Sequence, residues 1–297
     1  MAQIIAQVML PIALALVMLG MGLSLQLKDF KAVLINPKVA LLGFLLQLFL
    51  LPLLALVIIK MFALNELAAA GLFLLALCPG GATSNLFSFI AKGNLALSVC
   101  LTSVMSMLSP FILPIAFIGF IHYSGNADSQ YFDLPLLPAI KKLVMVTLLP
   151  TVIGMSIRYF AAQWSQSVIP FIKKASSIAM LLIVAALLVT NLNIVPAMFS
   201  IQGLSVILLC SSSLFIAYFI AGKANTSETD RKTIALEVGV QNAGTAMVIA
   251  LSIMHQPELA VIPLMYGILM NIPVFAFVYW LLNKDKRSEE RSSISIQ

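Results

Sequence analysis

The chain has 297 residues, of which 61% are hydrophobic and only 9% are charged, whereas about 25% of the residues of a soluble domain are charged. Together with a mean hydropathy of +1.07, this composition excludes a soluble globular protein and predicts an all-α polytopic membrane protein. The net charge of +6 does not indicate nucleic-acid binding, because the basic residues are scattered between apolar segments and form no single stripe.

Hydropathy divides the chain into nine apolar segments, each long enough to cross a hydrocarbon core of roughly 30 Å. We predict transmembrane helices at about residues 3–26, 38–61, 67–91, 94–120, 135–161, 172–193, 203–222, 232–254 and 258–282. The loops are short apart from 122–133 outside and 163–174 inside, so residues 1–297 form a single transmembrane unit. The charged, Ser-rich residues 284–297 are expected to be a mobile cytoplasmic tail.

The basic residues predict the orientation in the membrane. If the first residue lies outside, 14 of the 17 lysines and arginines fall on the cytoplasmic side, and only Lys60, Lys141 and Lys142 remain outside. Cytoplasmic loops carry an excess of basic residues, so we expect the N-terminus outside and the C-terminus in the cytoplasm. The first segment lacks the charge and cleavage pattern of a signal peptide and is predicted to be a true helix.

Glu237 is the one acidic residue that falls well inside a predicted span. A charge near the bilayer centre costs about 2.5 to 3.5 kcal/mol on insertion scales, so such a residue usually faces a partner or a water-filled cavity. The alternative is a protonated Glu237 that is hydrogen-bonded to a neighbouring helix.

Two predicted spans contain helix-breaking sequences near mid-membrane. The third contains Cys78-Pro-Gly-Gly-Ala-Thr-Ser-Asn85, and the eighth contains Glu237-Val-Gly-Val-Gln-Asn-Ala-Gly-Thr245. Because proline removes a backbone donor and glycine allows most backbone angles, we expect hinges at Pro79, Gly80, Gly81, Gly239 and Gly244. Paired broken helices in corresponding places of two half-sequences are typical of a transporter binding site. Spans one to four match spans six to nine in inverted orientation.

Oxygen-bearing side chains surround the predicted breaks. Ser98 and Thr102 share one face of the fourth span, and Gln47 is the only amide of the second. Hydroxyl, amide, carbonyl and carboxylate oxygens suit a hard cation such as sodium better than a transition metal. The alternative for Ser98 and Thr102 is a hydrogen bond to their own helix. We predict no cofactor and, because the sequence contains neither HExxH nor GxSxG, no enzyme.

Several motifs are spread along the chain: Gly20-Met-Gly-Leu-Ser-Leu25, Asn36-Pro-Lys38, Cys78-Pro-Gly-Gly81, Ser84-Asn85, Gly93-Asn-Leu-Ala-Leu-Ser98, Glu237-Val-Gly-Val-Gln-Asn242 and Asn271-Ile272. Over essentially its whole length, the sequence resembles a bacterial-type member of the bile acid:sodium symporter family. The resemblance implies two inverted repeats, with two broken helices that cross inside a core domain. The core would contain residues 38–120 and 203–282, and a panel domain would contain 3–26, 135–161 and 172–193.

The resemblance also implies the site residues. One sodium ion would bind to Ser84, Asn85, Ser98, Thr102 and Glu237. A second would bind to Gln47, Glu237, Gln241 and the backbone carbonyls of Val238 and Val240. Asn242 and Asn271 match positions that face the substrate cavity. Thr83 is the third expected substrate contact, because many members read Gly-Gly-Thr-Ala-Ser-Asn and this sequence moves the hydroxyl by one residue.

The predicted function is a sodium-coupled secondary active symporter that imports an organic anion by alternating access. The anion would be bile acid-like, or a small carboxylate such as pantoate or pyruvate. The main alternative is proton-coupled transport on the same fold with Glu237 as the proton carrier; a receptor or channel and a membrane enzyme are further alternatives. We expect a monomer in the bacterial inner membrane, with the substrate, sodium and the lipid bilayer as its partners.

Overall fold

The computed structural model describes residues 4–26, 36–125, 134–190, 192 and 194–294, without the side chains of 288, 289 and 291–294. The first helices are α1 (Ile5–Ser24), α2 (Pro37–Met61), α3 (Glu66–Ala76), α4 (Ala82–Ile90), α5 (Leu95–Tyr123), α6 (Leu136–Phe160) and α7 (Ala162–Thr190). They are followed by α8 (Ile194–Met198), α9 (Ile201–Lys223), α10 (Glu228–Gly239), α11 (Ala243–Ile253), α12 (Val261–Leu269) and α13 (Asn271–Ile294).

Seven segments of the described chain are long and apolar enough to cross a membrane. They are α1, α2, α5, α6, α7, α9 and Glu258–Arg287, which joins α12 to α13. The other two predicted spans, 67–91 and 232–254, each divide into two shorter helices, α3 with α4 and α10 with α11. The prediction of an all-helical polytopic membrane protein is therefore confirmed.

One predicted loop is wrong. The inner loop expected at 163–174 belongs to α7, which begins at Ala162. This first part of α7 is rich in Gln, Ser and Lys, so its hydropathy resembles that of a loop, but its backbone is helical. It packs on the end of α1, where the hydroxyl of Ser165 donates to the carbonyl oxygen of Leu23 at 3.3 Å.

The end of the chain also differs from the prediction. The last helix continues to Ile294 instead of ending near residue 282. The first charged side chains after the apolar segment form ion pairs. Lys284 pairs with Glu228 at 2.9 Å and Asp285 pairs with Lys232 at 2.6 Å, and these contacts extend the helix beyond the apolar segment. Residues 295–297, most of the predicted outer loop 122–133, and the inner lysines Lys28 and Lys31 lie outside the described residues.

Three of the long helices contain a wide, π-helical turn just before a proline. The wide turns are Ile5–Met9, Leu46–Leu50 and Val144–Leu148, and they precede Pro11, Pro52 and Pro150. A proline inside a helix removes one backbone donor and its ring clashes with the carbonyl four residues earlier. A wider turn accommodates the ring without ending the helix. The turn in α2 matters most for the site, because it carries Gln47.

Helices α1, α6 and α7 pack against one another, and we call this group the panel. A Cβ atom at Gly22 would lie 2.2 Å from the carbonyl oxygen of Thr151, and one at Gly154 would lie 2.5 Å from that of Leu19. The backbones of α1 and α6 are therefore in direct contact, as is typical of small residues between membrane helices. Helices α2 to α5 and α9 to α13 pack mainly among themselves, and we call them the core.

The breaks in the two divided helices meet inside the core. The backbone N–H of Asn242 donates to the carbonyl oxygen of Pro79 at 2.9 Å. The backbones of Gly80 and Gln241 pair in an isolated antiparallel bridge. Backbone groups in one break thus bond to backbone groups in the other break. These bonds lower the free-energy cost of non-helical backbone at membrane depth. This crossing places the end of α10, including Glu237, beside α4.

Candidate functional site

The carboxylate of Glu237 lies at the crossing of the broken helices and is surrounded by hydroxyl groups. The residue is 1% exposed. Its Oε1 accepts hydrogen bonds from Ser84 at 2.8 Å and from Ser98, and its Oε2 accepts one from Thr102 at 2.6 Å. The side-chain oxygen of Asn85 lies 2.8 Å from the same Ser98 hydroxyl, whose one hydrogen can point to either acceptor. These five residues, which we call the Glu237 cluster, are the set expected for the first sodium site.

Three helices supply the Glu237 cluster. Ser84 and Asn85 belong to α4, Glu237 to α10, and Ser98 and Thr102 to α5, where a spacing of one turn directs both hydroxyls to the same side. The hydroxyl of Thr102 also lies 3.0 Å from the carbonyl oxygen of Ser98. The Thr102 hydroxyl is therefore within reach of both acceptors, and its one hydrogen can point either to its own helix or to Glu237.

The first turns of α10, which the sequence predicts to lie on the cytoplasmic side, are anchored to neighbouring helices. The side chain of Asn94, which precedes α5, donates to Asp230 at 2.8 Å. Lys232 is 3% exposed and pairs with Asp285 of α13 at 2.6 Å. Since Glu237 lies about two turns further along α10, these contacts fix the helix that carries the carboxylate.

A second set of contacts joins the same end of α10 to α9 and α13. Glu228 accepts hydrogen bonds from Tyr218 and from Lys284, and it pairs with Arg231 at 2.9 Å. Burial by itself raises the pKa of Glu228, but the hydrogen bonds and the neighbouring positive charges outweigh burial and lower the pKa below its ordinary value. The carboxylate therefore stays ionised and holds the three helices together.

The residues expected for a second sodium site include buried polar atoms that find no partner among the described residues. Gln47 is 2% exposed, and within the described part of the chain neither atom of its amide has a hydrogen-bond partner. Gln241 donates to the carbonyl oxygen of Val238 at 2.7 Å, but no described residue donates to its side-chain oxygen. Val240 is the first extended residue after α10. Gln47 lies on the wide turn of α2, which contacts α10, so the orphaned oxygens are on neighbouring elements.

The chemistry of these groups suits a hard cation. A buried carboxylate without an opposite charge costs several kcal/mol, and among the described residues no basic side chain bonds to Glu237. Hydroxyls can turn their hydrogens away and offer lone pairs, so the groups that now donate to Glu237 can also serve as cation ligands. Unpaired buried oxygens such as those of Gln47 and Gln241 are rare in folded proteins. Oxygen-only coordination would satisfy them.

The glycines of the first break lie close to the Glu237 cluster. A Cβ atom at Gly80 would lie 2.8 Å from Oε2 of Glu237, so this position must lack a side chain for the carboxylate to occupy its place. Gly81 is extended, with φ −118° and ψ 175°, and a Cβ there would approach no atom closer than 3.4 Å. Of these two predicted hinges, only Gly80 lies so close to Glu237 that a side chain would collide with the carboxylate.

The second break is displaced from the glycines that were expected to form it. The backbone leaves the helix at residues 240–242, between Gly239 and Gly244. A Cβ at Gly239 would lie 2.5 Å from the side chain of Leu214, and one at Gly244 would lie 2.2 Å from that of Met180 in the panel. Gly239 and Gly244 therefore allow close helix packing on either side of the break, and their role as hinges stays a prediction.

A cavity of 590 Å³ separates the core from the panel on the side that the sequence predicts to be cytoplasmic. Thr83 and Asn85 line it from the core, and Ser24, Lys173 and Lys174 line it from the panel. Asn85 therefore belongs both to the Glu237 cluster and to the cavity wall. Of the three expected substrate contacts, Thr83 reaches this cavity.

The other two expected substrate contacts are not among the described residues that line the cavity. Asn242 caps α11, where its side-chain oxygen accepts from the amide of Thr245 at 3.3 Å. Asn271 donates to the carbonyl oxygens of Gly267 and Ile268 at 3.1 and 3.0 Å, at the junction of α12 with α13. Both are half-buried, and in this structure both side chains serve their own helices.

The boundary between panel and core differs at its two ends. A second cavity of 670 Å³ lies at the end with the lysines, between Met107 of the core and Val152 and Met155 of the panel. At the opposite end, Lys142 of α6 donates to the carbonyl oxygen of Ser252 in α11, and a smaller cavity of 460 Å³ lies between Thr190 of α7 and Val261 of α12.

Two further contacts join panel and core at this end. The hydroxyl of Ser252 donates to the carbonyl oxygen of Ala6 in α1, and the side chain of Gln7 lies 3.4 Å from Nδ1 of His255. Because the sequence predicts this end to lie outside, we call these contacts, with the bond from Lys142, the outer latch.

Some residues of the site were not expected from the sequence. Ser88 is fully buried and lies 3.2 Å from the hydroxyl of Ser98. It is spaced i, i+4 from Ser84, so the helical period could have identified it. In the sequence, Lys173 and Lys174 served only to predict the membrane orientation. No sequence pattern indicates that α7 and α4 line the same cavity.

The chain matches the model of the Sodium Bile acid symporter family over residues 11–198, which is more than half of its length. A probable chloroplastic sodium/metabolite cotransporter of rice (Oryza sativa) is 29% identical over 250 residues, covering 84% of this chain and 60% of the rice protein. This chain thus spans less than two thirds of that relative.

Two further relatives are covered more fully. An uncharacterized sodium-dependent transporter of Bacillus subtilis is 29% identical over 254 residues, which cover 85% of this chain and 76% of that protein. The hepatic sodium/bile acid cotransporter of the rat (Rattus norvegicus) is 27% identical over 272 residues, which cover 88% of this chain and 73% of the rat protein.

Proposed function

Because the chain belongs to the sodium bile acid symporter family, we propose that it is a secondary active symporter that uses inward sodium flow to import an organic anion. Its relatives are named as sodium-dependent transporters and cotransporters, which supports transport over catalysis. In this proposal the N-terminus lies outside and the C-terminus in the cytoplasm, and one chain suffices because it contains both panel and core.

The observation that carries the proposal is the Glu237 cluster. A carboxylate that is 1% exposed and bonded only to neutral hydroxyls among the described residues has the charge and the ligand atoms for a hard cation. The unpartnered oxygens of Gln47 and Gln241 support a second cation on the other side of α10. With two cations beside it, Glu237 needs no proton to be neutralised.

Asn85 links the cation site to the substrate. Its side-chain oxygen accepts from Ser98 inside the Glu237 cluster, while the residue also lines the cavity between panel and core. A cation bound to the cluster would hold Asn85, and with it this wall of the cavity, in one orientation. Substrate binding would then depend on sodium, which is the coupling that symport requires.

Alternating access is supported by the unequal ends of the boundary between panel and core. The outer latch bonds panel to core at one end, where the smaller cavity of 460 Å³ lies, and the larger cavities of 590 and 670 Å³ lie at the other. We propose that the structure is the inward-facing state and that movement of the core past the panel breaks the outer latch. The core would move as one body, because the breaks are bonded to each other and the inner end of α10 is anchored.

The sodium gradient is large enough to drive this transport. Two sodium ions moving down a tenfold gradient release about 2.8 kcal/mol. With a monovalent anion, one net positive charge enters, and a membrane potential of about 100 mV adds about 2.3 kcal/mol. The sum would sustain an anion gradient of several thousandfold, at about 1.4 kcal/mol for each factor of ten.

The proposal is tested by uptake of labelled taurocholate and pantoate into proteoliposomes, with sodium or potassium outside. We expect accumulation in sodium for the wild type and for Glu258→Gln, a matched control at an exposed acidic residue, and loss of accumulation for Glu237→Gln. Accumulation driven by a pH gradient in the absence of sodium would identify a proton as the coupling ion. Equilibration of label without accumulation would instead indicate a channel.

A further inference from the structure

The cavity between panel and core has an unbalanced charge. Lys173 and Lys174 are the charged residues among its described lining, and the lining contains no acidic side chain. Within the described part of the chain, neither lysine takes part in an ion pair. A cleft with charges of one sign and low-dielectric walls concentrates ions of the opposite sign, so this cavity is suited to an anion.

The lysines line the panel side of the cavity, and both side chains are exposed. Lys173 and Lys174 are on α7, and the stem of Lys173 runs beside α1, where a Cβ atom at Gly20 would lie 3.9 Å from its Cγ. Ser176 and Ser177 follow on the same helix and also line the cavity. The panel therefore offers two ammonium groups with hydroxyls nearby.

The rest of the cavity is different in character. Apolar side chains from both groups of helices, among them Met21, Leu86 and Val99, form its walls. Thr83 and Asn85 are at the core side, next to the Glu237 cluster. The volume of 590 Å³ lies in the range of pockets that hold drug-sized ligands, about 300 to 1,000 Å³. These dimensions fit a ligand with a sizeable apolar body and an acidic group.

We propose that Lys173 and Lys174 form a binding subsite, on the panel, for the acidic group of an amphipathic organic anion. The apolar body of the ligand lies along Met21, Leu86 and Val99, and its opposite end reaches Thr83 and Asn85. This inference rests on the proposed transport function for its biological role. The substrate charge is thus held by the panel, whereas the coupling cations are held by the core.

The arrangement has a consequence for specificity. Because the two ammonium groups and the hydroxyls of the core are on opposite walls, a ligand must be long enough to contact both. A bulky anion such as taurocholate should therefore depend on the lysines and bind more tightly than pantoate. An uncharged amphiphile of the same size gains nothing from the lysines.

The test is direct binding of labelled taurocholate to the purified protein in phosphatidylcholine nanodiscs, in saturating sodium. The test variant is Lys173→Gln with Lys174→Gln. The matched control is Lys38→Gln with Lys223→Gln, which removes the same charge from exposed lysines that do not line the cavity. We expect the Kd to rise at least tenfold in the test variant, about 1.4 kcal/mol, and by less than twofold in the control. A double arginine variant at 173 and 174 should retain most of the affinity.

Equal affinity of the test variant and the wild type would overturn the proposal, as would an equal loss in the control. A wild type that binds neither taurocholate nor pantoate would overturn it as well. Because binding is measured without transport, failure of sodium-driven uptake would refute the proposed function while the effect of the lysines on binding would still stand. If the wild type and the test variant bind taurocholate equally without phosphatidylglycerol, and added phosphatidylglycerol weakens binding in the wild type alone, the lysines hold an anionic lipid and the substrate subsite is refuted.

Discussion

A single methyl group at Gly80 is expected to weaken sodium binding. In the structure, a Cβ atom built at this position would lie 2.8 Å from Oε2 of Glu237 and 3.3 Å from the hydroxyl of Ser84. Ordinary van der Waals contacts of a Cβ begin at 3.4 Å. Gly80→Ala therefore forces the carboxylate away from the position at which it accepts from Thr102.

The displacement sets the expected magnitude. The carboxylate oxygen must withdraw by ~0.6 Å to reach an ordinary contact, and overpacking of this kind costs about 1 to 3 kcal/mol in a well-packed interior. If the strain falls on the cation-bound geometry, the sodium affinity should fall roughly 5- to 150-fold. The substrate affinity at saturating sodium should change much less, because Gly80 does not line the cavity.

Sodium-dependent thermal stabilisation of the purified protein measures this effect without a substrate. Two alanine variants serve as controls. A Cβ at Gly81 would meet no atom closer than 3.4 Å, and one at Gly119 in α5 would meet none within 4 Å. Both should keep the sodium affinity of the wild type, and Gly119→Ala should stabilise its helix by roughly 0.5 to 1 kcal/mol. Unchanged sodium affinity in Gly80→Ala, or an equal loss in Gly81→Ala, would refute the assignment of Glu237 as a cation ligand.

Two further predictions concern α5 and the outer latch. Thr102→Ala should raise the sodium concentration for half-maximal uptake at least several-fold. Ser103→Ala should not raise it, because this change removes a buried hydroxyl that bonds to Val99 of its own helix. Equal effects of the two variants would count against cation ligation by Thr102. Lys142→Gln should weaken the outer latch and favour the outward-facing state. The assay is labelling of Leu251→Cys, at a buried position, by an impermeant thiol reagent, and labelling should become faster. Equally fast labelling after Lys141→Gln would show that the latch bond is not responsible.

The positions of the helices could be read largely from local composition. Apolar runs of about 20 residues predict membrane helices whatever their neighbours are, because each residue contributes separately to transfer into lipid. The same argument found the breaks at Pro79 and in the segment after Glu237. It failed at 163–174, where α7 is helical in spite of its polar residues, because panel packing and not hydropathy maintains the helix.

The members of the Glu237 cluster were expected from the family resemblance, but the physical reason for their contact was not visible in the sequence. Ser84 and Glu237 are 153 residues apart and come together because the breaks at Pro79 and Asn242 bond to each other. The role of Gly80 followed only from the 2.8 Å approach of its missing side chain to the carboxylate. The pattern of polar residues indicates which groups could bind a cation. The crossing of the two broken helices determines which of these groups lie next to one another.

A helical membrane protein with two interrupted helices and one carboxylate in the membrane could be recognised from the residues alone. The hydroxyls around that carboxylate, and the cavity that Asn85 shares with Lys173 and Lys174, became visible in the folded chain. Helix formation and membrane insertion depend on neighbours within about twenty residues, whereas a cavity and its charge depend on how the panel packs against the core.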